Sequence, residues 1–195
     1  MNKTKIDWGI KGLQTWHPVV GCERGCSYCY AMKMNRRFKF VETWTEPQIF
    51  YDRLIEPYNV KKPTTIFVGG MTDLWSPWIP GKWKKLVLNT IRMNPQHTFM
   101  LLTKNPHGYR WYDMPDNCVM GLTLTDPDRD KFKAFKSFTH GRKFLSIEPI
   151  MDSFRGFELD GVELVIVGGM NGEKKNGQEQ EWIRSVLHPN IHYKR

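Results

Sequence analysis

The sequence predicts an α/β protein: one parallel sheet, its strands joined through helices, in a single domain over residues 1–195. Three observations lead there. Six short runs, at 15–20, 64–69, 98–103, 118–125, 143–147 and 163–167, are close to continuously apolar, as strands covered on both faces are. Between most of them, apolar residues recur at helical spacing. No internal repeat, low-complexity tract or linker-like change of composition divides the chain, and its length suits one domain with a sizeable core. Strands alternating with helices imply parallel pairing with right-handed crossovers. Periodicity alone leaves two closures open, a doubly wound open sheet and a barrel.

Taken in order, the run at 15–20 leads straight into a cysteine-rich loop. Tyr30, Met34 and Phe38 then repeat every fourth residue, with Lys33, Arg36 and Arg37 on the other side, so the loop joins a strand to a helix. Residues 39–60 are ambiguous. Glu46-Pro47 predicts a helix that runs through Leu54 and is ended by Pro57. The strand at 64–69 is closed by Gly69-Gly70, and 71–81 reads as loop, with Pro77 and Pro80. Trp83, Leu86, Val87 and Ile91 mark a helix that stops at Asn94-Pro95. A short helix fits 107–112, after the strand at 98–103. The strand at 118–125 ends in Thr-Asp-Pro, which predicts Asp126 as an N-cap and Pro127 at the first helical position. Phe132, Phe135 and Phe138 give that helix its buried stripe. A last helix carries Trp182, Ile183, Val186 and Leu187 on one face, and residues 190–193 can add a final strand.

Lys plus Arg number 29 against 20 Asp plus Glu, a formal charge of +9. That excess favours nucleic acid, a nucleotide or another polyanion as partner. The plainer reading is a charge that only solubilises, because no block of five or more consecutive basic residues occurs. No apolar run approaches the ~20 residues of a membrane span, and Met-Asn-Lys-Thr-Lys-Ile-Asp-Trp lacks a signal peptide's apolar core. The expectation is a cytoplasmic protein with no membrane partner, in a compartment where clustered cysteines read as ligands. Neither G-x-S-x-G nor a P-loop pattern is present, which sets aside those hydrolase and phosphate-binding classes.

The stretch Gly21-Cys22-Glu23-Arg24-Gly25-Cys26-Ser27-Tyr28-Cys29-Tyr30-Ala31 holds three of the four cysteines, with an aromatic just before the last of them. Thiolates are soft ligands suited to iron–sulfur clusters and zinc. A 4Fe–4S cubane ordinarily takes four thiolates, one per iron. A run of three leaves one iron open to an exogenous ligand, which makes this a cofactor site. The other reading is a zinc knuckle with His17 or Cys118 as fourth ligand. Structural zinc sites bring a second, distant ligand pair, and none is present. Cys118, alone in an apolar run, is assigned to the core.

C-x3-C-x-aromatic-C resembles the signature of the radical S-adenosylmethionine (SAM) superfamily. The longer string G-C-x-x-G-C-x-Y-C-Y-A is similar to its spore-photoproduct-lyase-like branch, and more so to a family of small phage-encoded radical SAM proteins. The resemblance runs from Trp16 to about Arg184 and is strongest at the cysteines. It implies a partial (β/α)6 TIM-like barrel with the cysteine loop after the first strand. It also implies a 4Fe–4S cluster on Cys22, Cys26 and Cys29, with SAM on the open iron. The activity implied is reductive cleavage of SAM to a 5′-deoxyadenosyl radical, in the cytoplasm (a host's, if phage-encoded), with a reductant protein as electron donor.

In such barrels chemistry sits at the carboxyl ends of the strands, so the strand ends become candidates. Gly69-Gly70 resembles the segment whose backbone meets the SAM amino group. Where the superfamily often has Glu this chain has Met71, so the polar role moves to Asp73. The stretch Thr72-Asp73-Leu74-Trp75-Ser76-Pro77 resembles T-D-x-aromatic-x-P of the photoproduct-lyase-like branch. The alternative for Asp73 is a loop carboxylate that caps backbone amides. Thr123 and Thr125 suit the SAM ribose, although strand threonines also pack. Glu148 interrupts an apolar strand before Pro149, in a Ser-x-Glu-Pro pattern that resembles the phage family's. An unpaired buried carboxylate is costly, so it faces a ligand or pairs with a cation such as Lys104. Gly168-Gly169, followed by Met170-Asn171, looks like the segment that approaches adenine, or is a plain strand-to-helix turn. Tyr28 is expected over the cluster or adenine; a plain surface aromatic is the other reading.

Charge and resemblance together point to a nucleic acid or nucleotide substrate. Lys33, Arg36 and Arg37 are expected to reach phosphate, Trp75 and Trp78 to stack a base, and Lys104 to face the substrate. The competing picture has the tryptophans packed under the loop and the cations solvating a helix. Against the enzyme stands a non-catalytic nucleic-acid-binding protein, stabilised by zinc or an iron–sulfur cluster.

Overall fold

The computed structural model describes residues 1–4, 6–139, 141–170 and 177–194, so the strand-end candidate Asn171 lies outside the described residues. In chain order the elements are β1 (Asn2–Lys3), β2 (Gln14–Trp16), β3 (Val19–Val20), α1 (Tyr30–Phe38), β4 (Gln48–Ile49) and a 3-10 helix (Tyr51–Asn59). Then come β5 (Thr65–Val68), α2 (Gly81–Arg92), β6 (Thr98–Thr103), a second 3-10 helix (Pro106–Trp111), β7 (Cys118–Leu124) and α3 (Arg129–Lys136). The chain continues through β8 (Lys143–Ile147), β9 (Leu164–Val167), α4 (Gly177–Ser185) and β10 (Ile191–Tyr193).

The main sheet runs β1-β2-β5-β6-β7-β8-β9-β10. Only β1 and β2 pair antiparallel; the other neighbours are parallel. Seven parallel strands thus follow one another in sequence order and curl into a half-barrel. A doubly wound sheet needs a point where the strand order reverses, and this order has none. The seventh parallel strand is β10, the optional one in the sequence reading.

Several local expectations are corrected. The run at 15–20 breaks at Pro18, which has no N–H to give a ladder. Trp16 stays in the main sheet, while Val19–Val20 turn aside to pair with Gln48–Ile49. That pairing, with Phe50 N–H donating to Pro18 O at 2.8 Å, replaces the helix expected from Glu46-Pro47. The helix that follows is a 3-10 segment containing Pro57. Asp126 is not the cap of α3. Asp128 is, its carboxylate accepting Lys131 N–H at 2.8 Å, while Asp126 accepts from the Thr125 hydroxyl. Leu187 lies beyond the end of α4 and is exposed.

Alternation along the strands sorts residues to two faces. On the convex face Ile66, Val68, Phe99, Leu101, Met120, Leu122, Leu145, Ile147, Val165 and Val167 meet Val87 and Ile91 of α2 and Phe132 and Phe135 of α3 in the main core. On the concave face Phe67, Met100, Val119, Phe144 and Ile166 form a smaller core with Trp8 and Leu13 of the segment after β1. The Trp8 ring lies 4.5 Å from Phe67 and 5.6 Å from Phe144. A β-carbon at Gly121 would stand 2.3 Å from the Phe144 ring, so only glycine lets that ring cross β7. The N-terminal segment therefore fills the lower half of the curl and leaves the carboxyl ends of the strands open. Among the described residues, no helix is long and apolar enough to cross a membrane.

Candidate functional site

A cavity of about 290 Å³ opens at the carboxyl ends of the strands, near the lower end of the roughly 300–1,000 Å³ range of small-ligand sites. One wall is the cysteine loop, with Cys22, Cys26, Tyr28 and Cys29. The opposite wall is a row of strand ends: Gly69, Gly70 and Asp73 after β5, Lys104 after β6, Thr123 on β7, Ser146 and Glu148 at β8, and Gly169 after β9. Ile6, Trp8, Phe67 and Leu102 make an apolar floor.

The loop is held by its own backbone. Gly21 N–H donates to Met71 O at 3.0 Å and Cys22 N–H to Trp44 O at 2.8 Å, while Thr72 Oγ1 donates to Gly21 O at 2.6 Å. Cys29 caps α1: its sulfur accepts Met32 N–H at 3.3 Å, at a helix end that favours negative charge. All three cysteines are unbridged and half-buried. Burial pushes the Cys22 thiol up, and burial together with Cys26 pushes the Tyr28 phenol up to about 12.

Among the described residues, no three His, Cys, Asp or Glu side chains converge on a point that could hold one ion. A cubane spreads its protein ligands one per iron. Cys22, Cys26 and Cys29 share one wall of the cavity. Neither of the fourth zinc ligands weighed from sequence lines the cavity. Cys118 is sealed in the convex core, its thiol pushed up to about 12 by burial. His17 is held neutral, its pKa lowered to about 4 by burial and then by Arg53, and among the described residues its buried Nδ1 meets no hydrogen-bond partner.

The two rim carboxylates are both engaged. Asp73 accepts from Arg24 Nε at 3.1 Å and Nη2 at 3.0 Å, from Thr103 Oγ1, and from Lys104 N–H at 3.2 Å. It ties the cysteine loop to the end of β6, as a loop carboxylate would. Glu148 accepts from Trp8 Nε1 at 3.1 Å and Ser146 Oγ at 2.9 Å and pairs with Lys194 Nζ at 2.6 Å. Its cation is therefore Lys194. Lys104, the partner expected from sequence, instead lies over the Tyr28 ring at 5.4 Å, and burial lowers its pKa.

Of the remaining candidates, Gly70 is packed so closely that a β-carbon would come within 3.0 Å of His17, Phe67 and Tyr30. At Gly169 a β-carbon would meet the Glu179 carboxylate at 2.4 Å, which accounts for that glycine by packing alone. Gly168 lies against Glu148 and Lys194. Thr123 lines the cavity; Thr125, past the end of β7, does not, and its hydroxyl is turned to Asp126. The stacking role expected of Trp75 is overturned: it is 1% exposed and packs on Tyr109 and Tyr112 at 4.9 and 5.4 Å. Trp78 lies outside the cavity lining, packed on the main core with Arg24 over its ring at 5.3 Å. Lys33, Arg36 and Arg37 are exposed on α1, outside the cavity.

Sequence reasoning missed Ile6, Trp8, Arg24, Ser146 and Lys194 as cavity residues. Ser146 could have been found, since it precedes Glu148 by two on one strand and so shares its face. Arg24, a cation inside the cysteine loop, also gave a local signal. Trp8 and Lys194 gave none.

A family model described as a protein of unknown function, DUF5131, matches residues 3–191. No curated protein and no solved structure matches the chain.

Proposed function

We propose that this chain, which belongs to the DUF5131 family, is a cytoplasmic radical SAM enzyme acting on a nucleic acid or nucleotide, built on a partial (β/α)6 TIM-like barrel. One observation carries the reading: the three cysteines of C-x3-C-x2-C line a single cavity at the carboxyl ends of parallel strands. Cys22, Cys26 and Cys29 would hold a 4Fe–4S cluster, with SAM beside it. When bound, that pair supplies reductive cleavage of SAM to a 5′-deoxyadenosyl radical, using an electron from a reductant protein.

The chain's own residues position and seclude. Arg24 and Asp73 lock the cysteine loop to β6, so the three thiols keep their places on the rim. The floor of Ile6, Trp8, Phe67 and Leu102 keeps water from the bottom of the cavity. Lys104 brings a cationic group to a cavity lined mostly by apolar surface, where an anionic ligand group gains most from it. The +9 charge favours a polyanionic substrate at the mouth.

Anaerobically purified protein is expected to be brown, with about four irons per chain, and to form 5′-deoxyadenosine from SAM and a reductant. Cys22→Ala, Cys26→Ala and Cys29→Ala each abolish the iron, and Cys118→Ala retains it. An oligonucleotide or nucleotide raises the rate of 5′-deoxyadenosine formation. Stoichiometric zinc without iron–sulfur absorbance would overturn the reading and leave the non-catalytic binding protein. Stimulation by a peptide or small metabolite alone would overturn the substrate class.

A further inference from the structure

Helix α1 turns its apolar stripe away from the core. The face it buries is small, Ala31 and Asn35, and Asn35 is spent on two 3.0 Å bonds to the Val41 backbone. Tyr30, Met34 and Phe38, one turn apart, are 43%, 39% and 54% exposed, and Phe40 just beyond is 39% exposed. Four exposed apolar side chains along one helix face and its end make a candidate interaction surface.

The stripe has a direction. Tyr30 lines the cavity, its hydroxyl donating to Gly70 O at 2.6 Å. Phe38 lies two turns along α1, about 12 Å away, with its ring 5.8 Å from that of Phe40. The border of the stripe is basic: Lys33, Arg36, Arg37 and Lys39 are all exposed, and residues 30–40 contain no acid. The Arg37 guanidinium lies over the Phe38 ring at 5.0 Å.

We propose that this face of α1 is a platform for single-stranded nucleic acid that leads a strand into the cavity. Bases stack on Phe38 and Phe40, and phosphates meet Lys33, Arg36 and Arg37. The inference rests on the nucleic-acid reading of the substrate and supplies the rings that Trp75, buried in the core, cannot. Exposed rings interleaved with cations are what a flexible polyanion bearing flat bases requires. The cations along α1 disfavour a basic partner.

The test is fluorescence anisotropy of anaerobically purified protein with labelled single-stranded DNA and RNA of about 12 nucleotides. Binding is expected to fall linearly in log affinity with log salt. The double variant Phe38→Ala/Phe40→Ala should bind at least about tenfold more weakly. The triple variant Lys33→Gln/Arg36→Gln/Arg37→Gln should lower the salt slope by about two, at ~0.7 per phosphate contact. Circular dichroism and iron content are read on the same samples. Lost binding with fold and iron retained supports the platform. It is overturned if the wild type binds no oligonucleotide, or if both variants bind as well as the wild type. A loss of equal size in Trp111→Ala, an aromatic 78% exposed outside α1, would also overturn the location. So would a capture assay in which these variants lose only an acidic protein partner. Absence of iron and of 5′-deoxyadenosine alongside intact, variant-sensitive oligonucleotide binding would sink the enzyme and leave the platform standing.

Discussion

Alternate residues of the same strands face opposite ways, and the two faces they make differ in kind. The convex face is apolar from end to end and closed by α2 and α3. The concave face is apolar only in its lower layer, where Trp8 and Leu13 complete it. Above that layer it turns polar, with Thr123, Ser146 and Glu148 beside the cysteine loop. The first face specifies the fold; the second, left unfilled at the top, specifies what the fold is for.

Four tests, using five variants, would break or sharpen that contrast. Phe135→Ala on the convex side is expected to cost about 3–5 kcal/mol, as large-to-small changes in a packed core do. It should appear as a lower urea midpoint at unchanged slope. Ser146→Ala on the cavity wall should cost less than about 1.5 kcal/mol, and comparable losses in the two would erase the distinction. Next, Asp73→Ala removes the acceptor of Lys104 N–H and leaves Arg24 only Ser76 Oγ and the Thr103 hydroxyl only Asn105 O. About 2–3 kcal/mol of stability should go, and calorimetry should show weaker SAM binding with iron retained. Unchanged stability would mean that the loop is not held through this carboxylate.

A third handle is pH. His17 has a pKa of about 4 in the folded chain, against an ordinary histidine value of 6.5 once unfolded. Between these values the unfolded chain binds the extra proton. His17 therefore contributes stability above pH 6.5 that is lost as pH falls toward 4. Wild type and His17→Gln should diverge across that window, the variant losing less; parallel curves would refute the assignment. Smallest is Trp8→Phe, which keeps a ring on Phe67 and Phe144 but removes one donor to Glu148. About 1 kcal/mol is expected, read from the thermal midpoint.

The convex face was legible because its signals are local: apolar runs of strand length and phenylalanines at helical spacing. The cysteines were legible for the same reason. Pro18 could have told that the run at 15–20 is two strands, since its missing N–H is written in the sequence. The rest depends on side-chain direction and distant contact. Trp75 and Trp78 share a loop, and position in a loop does not say which ring turns inward. The α1 stripe has core-like spacing but points outward, because Ala31 and Asn35 allow the closer approach. Glu148 invited a cation, yet nothing near it in the chain named Lys194, and its bond to Trp8 spans a separation of 140 residues.

That long-range closure sets an order of events during synthesis. Lys194 follows β10, so the wall opposite the cysteine loop stays incomplete until this residue leaves the ribosome. At about 5–20 residues per second, Cys22, Cys26 and Cys29 wait roughly ten to thirty seconds with their cavity unfinished. Over that interval the fold does not yet shield the three thiols.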